Sequence, residues 1–477
     1  MTVFRAHHKV LALTLICATF VVGAPAQVLK TVAVFKGKNG GDPLYVAPVQ
    51  GPDGGLYGTT SGGGTNSDTG TLFRMLNGKI TAENSPPRPF AGLVLGLDGN
   101  FYGTSAGSPF GDGTIFKTSP RGDLTILHNF SGSDGLAPWG PLILASDGDF
   151  YGTTTYGGGN YECSLGCGTI FKITSAGLFS VLSNMGPGNA YPIGGLIEGA
   201  DGNLYGTTSA GGNTRCGQPD GCGTIFRVGR DGRNFAILHV FQMTDGALPY
   251  SALTLGLDGA FYGTTSVGGT NVGGTVFRIT ANGNFQTIYN FCGLQDCLDG
   301  NAPYAALIVG TDGNFYGTTV GGGTNNNFGT VFSLTPTGVL KTLHSFCQLK
   351  NCSDGVYPLE GLVQHTNGLF YGMTRGISSQ ECPGTKCGSI FSLDMGLGPF
   401  VAFFRSYGRV GETGGLLGQG FTGTTSVSMN GIQAPFKVIS DTCITATVPQ
   451  GATTGFVTVT TPSGQLVSNV PFRVLSH

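Results

Sequence analysis

Short runs that are apolar on both alternating faces recur along this chain, each bounded by glycine-rich turns. Residues 303–346 show the pattern in one stretch. A strand is predicted at Ala305–Val309, a tight turn at Thr311-Asp312-Gly313, and a second strand at Phe315–Val320. A Gly/Asn-rich loop, Gly321–Phe328, leads to a third strand at Thr330–Leu334. Pro336-Thr337-Gly338 then turns the chain into a fourth at Val339–Phe346. These strands are labelled A to D. Asp-Gly or Asn-Gly at the A–B turn is a strong hairpin signal, and it recurs at Asp53, Asp98, Asp147, Asp201, Asp258 and Asn367. Apolar character on both faces of strands B and C predicts sheets stacked face to face, because a sheet with one wet face would alternate apolar and polar residues.

The unit repeats. Tyr-Gly begins at Tyr57, Tyr102, Tyr151, Tyr205, Tyr262, Tyr316 and Tyr371. Each copy is followed by Gly-Thr/Ser-aliphatic-Phe, ending at Phe73, Phe116, Phe171, Phe226, Phe277, Phe332 and Phe391. Seven units of roughly 50 residues predict an all-β fold, a seven-bladed β-propeller of four-stranded blades. A linear stack would need polar caps at its ends, and none is seen. The glycine after each tyrosine is expected to admit an aromatic ring or backbone of a neighbouring blade. Strand D has eight candidates against seven for A, B and C. Val28–Phe35 echoes Val339–Phe346 and has no A–C strands before it. It is therefore expected to complete the last blade beside Ser389–Leu393, with Phe400–Phe404 leading into the C-terminal part of the chain.

Composition adds the compartment. Of 477 residues 85 are Gly and only 10% are charged, and the glycines punctuate β-runs rather than forming a low-complexity tract. Residues 1–26 read as a signal peptide: Arg5, His7, His8 and Lys9, then apolar Val10–Gly23, then Ala24-Pro25-Ala26. That apolar run is too short to span a bilayer, and Ile16 before Cys17 does not suit a lipoprotein site. Loss of Arg5 and Lys9 leaves 22 of the 24 basic residues against 26 acidic ones, a net charge of about −4. With no basic patch, nucleic acid is not an expected partner, and no later segment is long and apolar enough to cross a membrane. The expected location is secreted: extracellular, cell-surface or periplasmic.

Ten cysteines form close pairs: Cys163/Cys167, Cys216/Cys222, Cys292/Cys297, Cys347/Cys352 and Cys382/Cys387. Zinc knuckles favour two intervening residues, whereas these pairs have three to five, so local disulfides are expected behind a signal peptide. Cys443 is left over and is expected to be a buried thiol.

The unit Asp-Gly-x-aromatic-Tyr-Gly-Thr-Thr…Gly-Gly…Gly-Thr-aliphatic-Phe resembles the Gloeo-Verruco tandem repeat of secreted bacterial proteins over about residues 28–405. That resemblance implies architecture and supplies no catalytic residues. Residues from about 406 differ in kind. Gly415–Phe421, Val427–Gly431 and Val448-Pro449…Gly455–Gly464 resemble an IPT/TIG domain, which implies an Ig-like β-sandwich acting as spacer or binding module. The expected organisation is signal peptide 1–26, propeller 27–405 and Ig-like domain 406–477.

Chemistry is sparse. Six Asp sit in A–B turns, and Asp134, Asp245, Asp299 and Asp354 occupy an Asp-Gly…Pro turn entering strand A, which is turn chemistry rather than catalysis. The six Glu, at 83, 162, 198, 360, 381 and 412, form no suggestive pair for glycoside hydrolysis. His128, His239 and His344 fall at one repeat position in different blades, so a shared metal site is not expected. Gly103-Thr-Ser105-Ala-Gly107 matches the nucleophile elbow only formally, since that motif needs a strand-to-helix turn. Asp147-Gly-Asp149 offers oxygens for calcium, but no loop has the EF-hand or nonapeptide pattern; no cofactor is expected. The long B–C and D–A loops share one end of the blades and carry all five Cys pairs. Rigid, varied loops of this kind are where binding sites are found. Trp139, Tyr156 and Tyr161 are the candidate ligand-face aromatics. The reading is a non-catalytic binding protein for an extracellular glycan or protein. A propeller hydrolase or lyase acting on polysaccharide and a structural adhesion component are the alternatives.

Overall fold

Strand B of each repeat pairs antiparallel with strand C in the register the repeat suggests. Phe315–Thr319 lies against Thr330–Leu334, with Gly317 opposite Phe332. Strand D, Leu340–Ser345, adds on the outside of C, and strand A on the inside of B. Strand A is shorter than expected, only Ile308–Val309. It is the inner strand of the sheet, so it pairs on one side alone, and the residues before it turn away into the loop that packs on the preceding repeat.

The structure, a computed structural model, describes residues 28–475 except 45–46, 65–69, 84, 87, 108–111, 160–161, 219, 325–326 and 378–386. The expected signal peptide, Cys382 and Tyr161 lie outside the described residues. Among those described there is no α-helix, only three single-turn 3-10 segments. The repeats make seven four-stranded antiparallel sheets in a β-propeller-like, all-β arrangement. Sheets are numbered here by repeat.

Neighbouring sheets meet through one recurring contact. The tyrosine of strand B stacks on the aromatic residue that opens strand B of the next sheet: Tyr57 on Phe101, Tyr102 on Phe150, Tyr205 on Phe261, Tyr262 on Phe315 and Tyr316 on Phe370, at centroid distances of 4.0–4.3 Å. In the first six repeats the tyrosine hydroxyl donates to the A–B turn Asp of its own repeat, as Tyr316 does to Asp312 at 2.8 Å, and in the seventh the Asn367 amide donates to Tyr371. Asp312 also accepts the Asn314 backbone N–H at 3.2 Å, so the turn carboxylates have the structural role expected of them. The glycine after the tyrosine serves a different partner from the one expected. A Cβ on Gly317 would lie 2.6 Å from Cζ of Phe332, which is on strand C of the same sheet. The close approach is therefore within a sheet, and the tyrosine makes the contact between sheets.

The seventh sheet is completed by the other end of the repeat region. Val28–Lys36 runs antiparallel to Cys387–Asp394, with Leu29 opposite Leu393 and Val34 opposite Ser389. Ala402–Phe403 pairs instead with Leu416–Leu417. The closing strand is thus the N-terminal one, as its sequence echo suggested.

From Val401 the chain builds two four-stranded sheets over one apolar core that includes Leu416, Phe421, Val427, Ile444, Val457 and Val459. Cys443 is buried there as a free thiol, and burial pushes it up to about 11. This C-terminal unit does not hang from the repeats. Ser440 and Thr442 donate to the Pro52 carbonyl of sheet 1. Thr366 of sheet 7 donates to the Gly418 carbonyl, and Tyr407 donates to the Leu144 carbonyl of sheet 3 at 2.6 Å. Arg473 reaches the Gly199 carbonyl of sheet 4, and Leu417 packs with Tyr57 and Leu95. All these partners lie at or beside A–B turns, so the unit is docked across the end opposite the long loops.

Candidate functional site: an aromatic mouth at the loop end

In every repeat the D–A loop carries a proline whose ring packs on the preceding sheet. The Gly of Gly-Thr-aliphatic-Phe makes room for it. A Cβ on Gly274 would meet Pro303 Cδ at 2.8 Å, and one on Gly223 would meet Pro249 at 2.9 Å. The residue after each proline is apolar in all seven repeats: Leu44, Phe90, Trp139, Ile193, Tyr250, Tyr304 and Leu359. Six of these seven converge on one cavity of about 550 Å³, together with Ala47, Pro141, Ser251 and Leu362. Every repeat contributes to its wall.

The loops are held from behind. Asp134 accepts the Ser131 backbone N–H at 2.8 Å and pairs with His128 Nε2 at 2.9 Å. His239 with Asp245 and His344 with Asp354 repeat the arrangement, and Tyr289 replaces the histidine opposite Asp299. Each histidine thus ties strand D to its own loop, and three sheets hold the three apart. Burial holds the His344 imidazole below its ordinary value despite the Asp354 carboxylate. Among the described residues no three His, Cys, Asp or Glu come together as a metal site would require.

Four local disulfides are present: Cys163–Cys167, Cys216–Cys222, Cys292–Cys297 and Cys347–Cys352. Two of them brace the mouth directly. The Cys167 carbonyl accepts the Tyr191 N–H, and the Cys222 carbonyl accepts the Leu248 N–H, each just upstream of a cavity residue. Cys387 is also disulfide-bonded.

Trp139 and Tyr156, two of the aromatics singled out from sequence, meet edge to face at 5.7 Å. Phe90 lies 6.3 Å beyond Trp139, and Tyr191 lies 5.2 Å beyond Tyr156. Tyr250 and Tyr304 stack at 5.2 Å on the other side. A second cavity of about 320 Å³ adjoins the first, sharing Trp139, Ile193 and Tyr250 and adding Tyr156, Tyr191, Ser209, Gln218 and Asp220. Burial, with Tyr191 and Asp220 nearby, holds the Tyr156 phenol above its usual value. Sequence reasoning missed Phe90, Ile193, Tyr250 and Tyr304. The signal was the run of apolar residues in the column after the loop proline, a place where polar loop residues are the rule.

The repeat profile described as the Gloeobacter/Verrucomicrobia repeat matches residues 79–218 and 214–431, most of the chain. This protein belongs to the Gloeobacter/Verrucomicrobia repeat family. No protein of curated function matches its sequence. Among solved structures, this family member is similar to a luciferin-regenerating enzyme at 12% identity, over 78% of this chain and 97% of that one, with a TM-score of 0.41. A gluconolactonase from Xanthomonas campestris matches at 10% identity over 63% and 83%, TM-score 0.36. A putative glucose dehydrogenase from Thermus thermophilus matches at 17% over 65% and 98%, TM-score 0.40.

One titratable group is wholly buried next in the chain to Gly361 of the cavity wall. Where other repeats of this family member have Ala91, Gly140, Gly194, Ser251 or Ala305, the seventh has Glu360, wholly buried at the seam with sheet 1. Its backbone carbonyl accepts the Thr318 hydroxyl at 2.8 Å, but neither carboxylate oxygen has a hydrogen-bond partner among the described residues. Burial first, then Asp42, raises the carboxyl well above its ordinary value, with the Arg375 guanidinium opposing. Asp42 and Arg375 are themselves paired at 2.7 Å. The folded state therefore holds this proton more tightly than the unfolded chain does. Its stabilising contribution is full below the ordinary carboxylate pKa of 4.5 and is lost as pH rises to the raised folded value. Glu360→Gln should leave stability at pH 4 nearly unchanged and raise it at pH 8 by more than about 1 kcal/mol. Urea midpoints at the two pH values check this, and an equal effect at both would contradict a buried neutral carboxyl.

Proposed function

We propose that this is a secreted, non-catalytic binding protein, a closed seven-bladed propeller followed by an Ig-like IPT/TIG domain, that takes an extracellular glycan at its loop end. The observation that carries the reading is the axial cavity. Its described wall is aromatic and aliphatic, and its only titratable groups are the phenols of Tyr250 and Tyr304. Its volume falls within the range of about 300–1,000 Å³ usual for ligand sites. Aromatic faces ringed by a few hydroxyls suit the C–H faces and outward hydroxyls of a pyranose. They do not suit a phosphate or a peptide backbone, which would need many buried polar partners. A hydrolase would need acids converging on the cavity, and the described wall supplies none. The four disulfides agree with an oxidising compartment, and the described chain has no helix long and apolar enough to cross a membrane.

A glycan array probed with residues 27–477, followed by calorimetry, tests the proposal. Trp139→Ala should weaken glycan binding about tenfold or more, the loss expected for a central aromatic anchor, while the circular-dichroism spectrum is unchanged. Capture of a protein partner with no glycan bound, or release of sugars from a bound polysaccharide, would overturn it.

A further inference from the structure

The two cavities at the mouth share a wall, and their chemistry differs. The axial one is lined by residues of all seven repeats. The second lies beside it, against the loop closed by Cys216–Cys222, which supplies Gln218 and Asp220 to its wall. The shared wall is Trp139, Ile193 and Tyr250. That loop is held in place by its own backbone: Gly211 N–H donates to the Asp220 carbonyl at 2.7 Å, and Leu248 N–H to Cys222. Among the described residues neither cavity is lined by Lys, Arg or His, and Asp220 is the only carboxylate. An anionic ligand would find no countercharge and one like charge.

From this we infer that the two cavities are consecutive subsites for one neutral oligosaccharide chain. The terminal sugar sits in the axial cavity and the following units lie along the side groove, between the Tyr156–Tyr191 pair and Asp220. The inference rests on the reading that the loop end binds glycan, and it adds chain length, direction and charge. The apolar, closed-in cavity suits an end unit stacked on aromatic faces. The groove's Gln218, Ser209 and Asp220 side chains suit the ring hydroxyls of units still partly in water. A bent chain turning at Trp139 satisfies both.

Trp139 is the sole tryptophan of the protein, so its emission reads the junction directly. Residues 27–477 are titrated with neutral cello-, xylo- and manno-oligosaccharides of one to six units, and with oligogalacturonides as the charged control. For at least one neutral series, affinity should rise about tenfold or more between one and three units, with a shift in Trp139 emission. Asp220→Asn, at an exposed position where folding is not at stake, and Gln218→Ala should each remove much of that rise while leaving the affinity for the shortest ligand within about twofold. Affinity independent of length, with both variants silent, would overturn the two-subsite inference and leave an axial glycan site standing. Oligogalacturonides binding as tightly as the neutral chains would overturn the charge argument. Failure of every saccharide to bind would bring down this inference and the proposed function together.

Discussion

Removal of residues 28–36 should cost the protein roughly 5 kcal/mol or more of stability, the largest effect expected of any short deletion. The strand pairs along its length with Cys387–Asp394, so its loss exposes the edge of the seventh sheet. Phe35, fully buried, packs edge-on against Phe73 of sheet 1 at 5.1 Å, in a cluster with Leu56, Met75, Met373 and Ile390. Burying one such side chain contributes about 1.5–3 kcal/mol, and Ala33 and the flanking Val32 add to it. The exposed edge is also a template for pairing with other chains. The deletion variant should therefore show a lowered urea midpoint and oligomers by light scattering, and a synthetic 28–36 peptide should restore both. An unchanged midpoint would mean that packing alone closes the repeat array.

Gly317→Ala should cost about 2–3 kcal/mol, large for one methyl group on a strand. The added Cβ would sit 2.6 Å from Phe332 Cζ and 2.9 Å from Leu307 Cδ2. The Phe332 ring cannot step aside, because it is fully buried and packs against Phe291 of the preceding sheet at 5.2 Å. The same clash recurs at Gly58, Gly103, Gly152, Gly206, Gly263 and Gly372. Gly414→Ala is the control: it also lies within a strand, but with open space around the added atom. Equal midpoints for the two variants in urea unfolding would refute the close-approach account.

The C-terminal unit bridges repeats that are far apart in the chain. Its contacts run to sheets 1 and 7 on one side and sheets 3 and 4 on the other. The unit, expected as a spacer or binding module, packs against the turn end of the sheets on both sides of their seam. The loop end, which carries the aromatic mouth and the disulfides, is the end these contacts leave uncovered.

What the sequence determined by itself is what short-range physics writes into it. Asp-Gly turns, runs of β-branched and aromatic residues, and cysteines a few residues apart act between near neighbours. So strands B, C and D, the four described local disulfides and the turn role of Asp53 through Asp312 were legible. Even the completion of the seventh sheet by Val28–Phe35 was readable, because that strand repeats the chemistry of Val339–Phe346. Other features rest on contacts between residues far apart in the chain. Phe90, Trp139, Ile193, Tyr250 and Tyr304 stand roughly 50 residues apart and meet only when the sheets surround an axis. The ring that fills the space over each Tyr-Gly glycine, the isolation of Glu360 and the docking of Tyr407 on Leu144 depend likewise on which faces meet. Local propensity is silent on that, because an apolar side chain is equally content against any apolar neighbour, and only the tertiary structure chooses which one it gets.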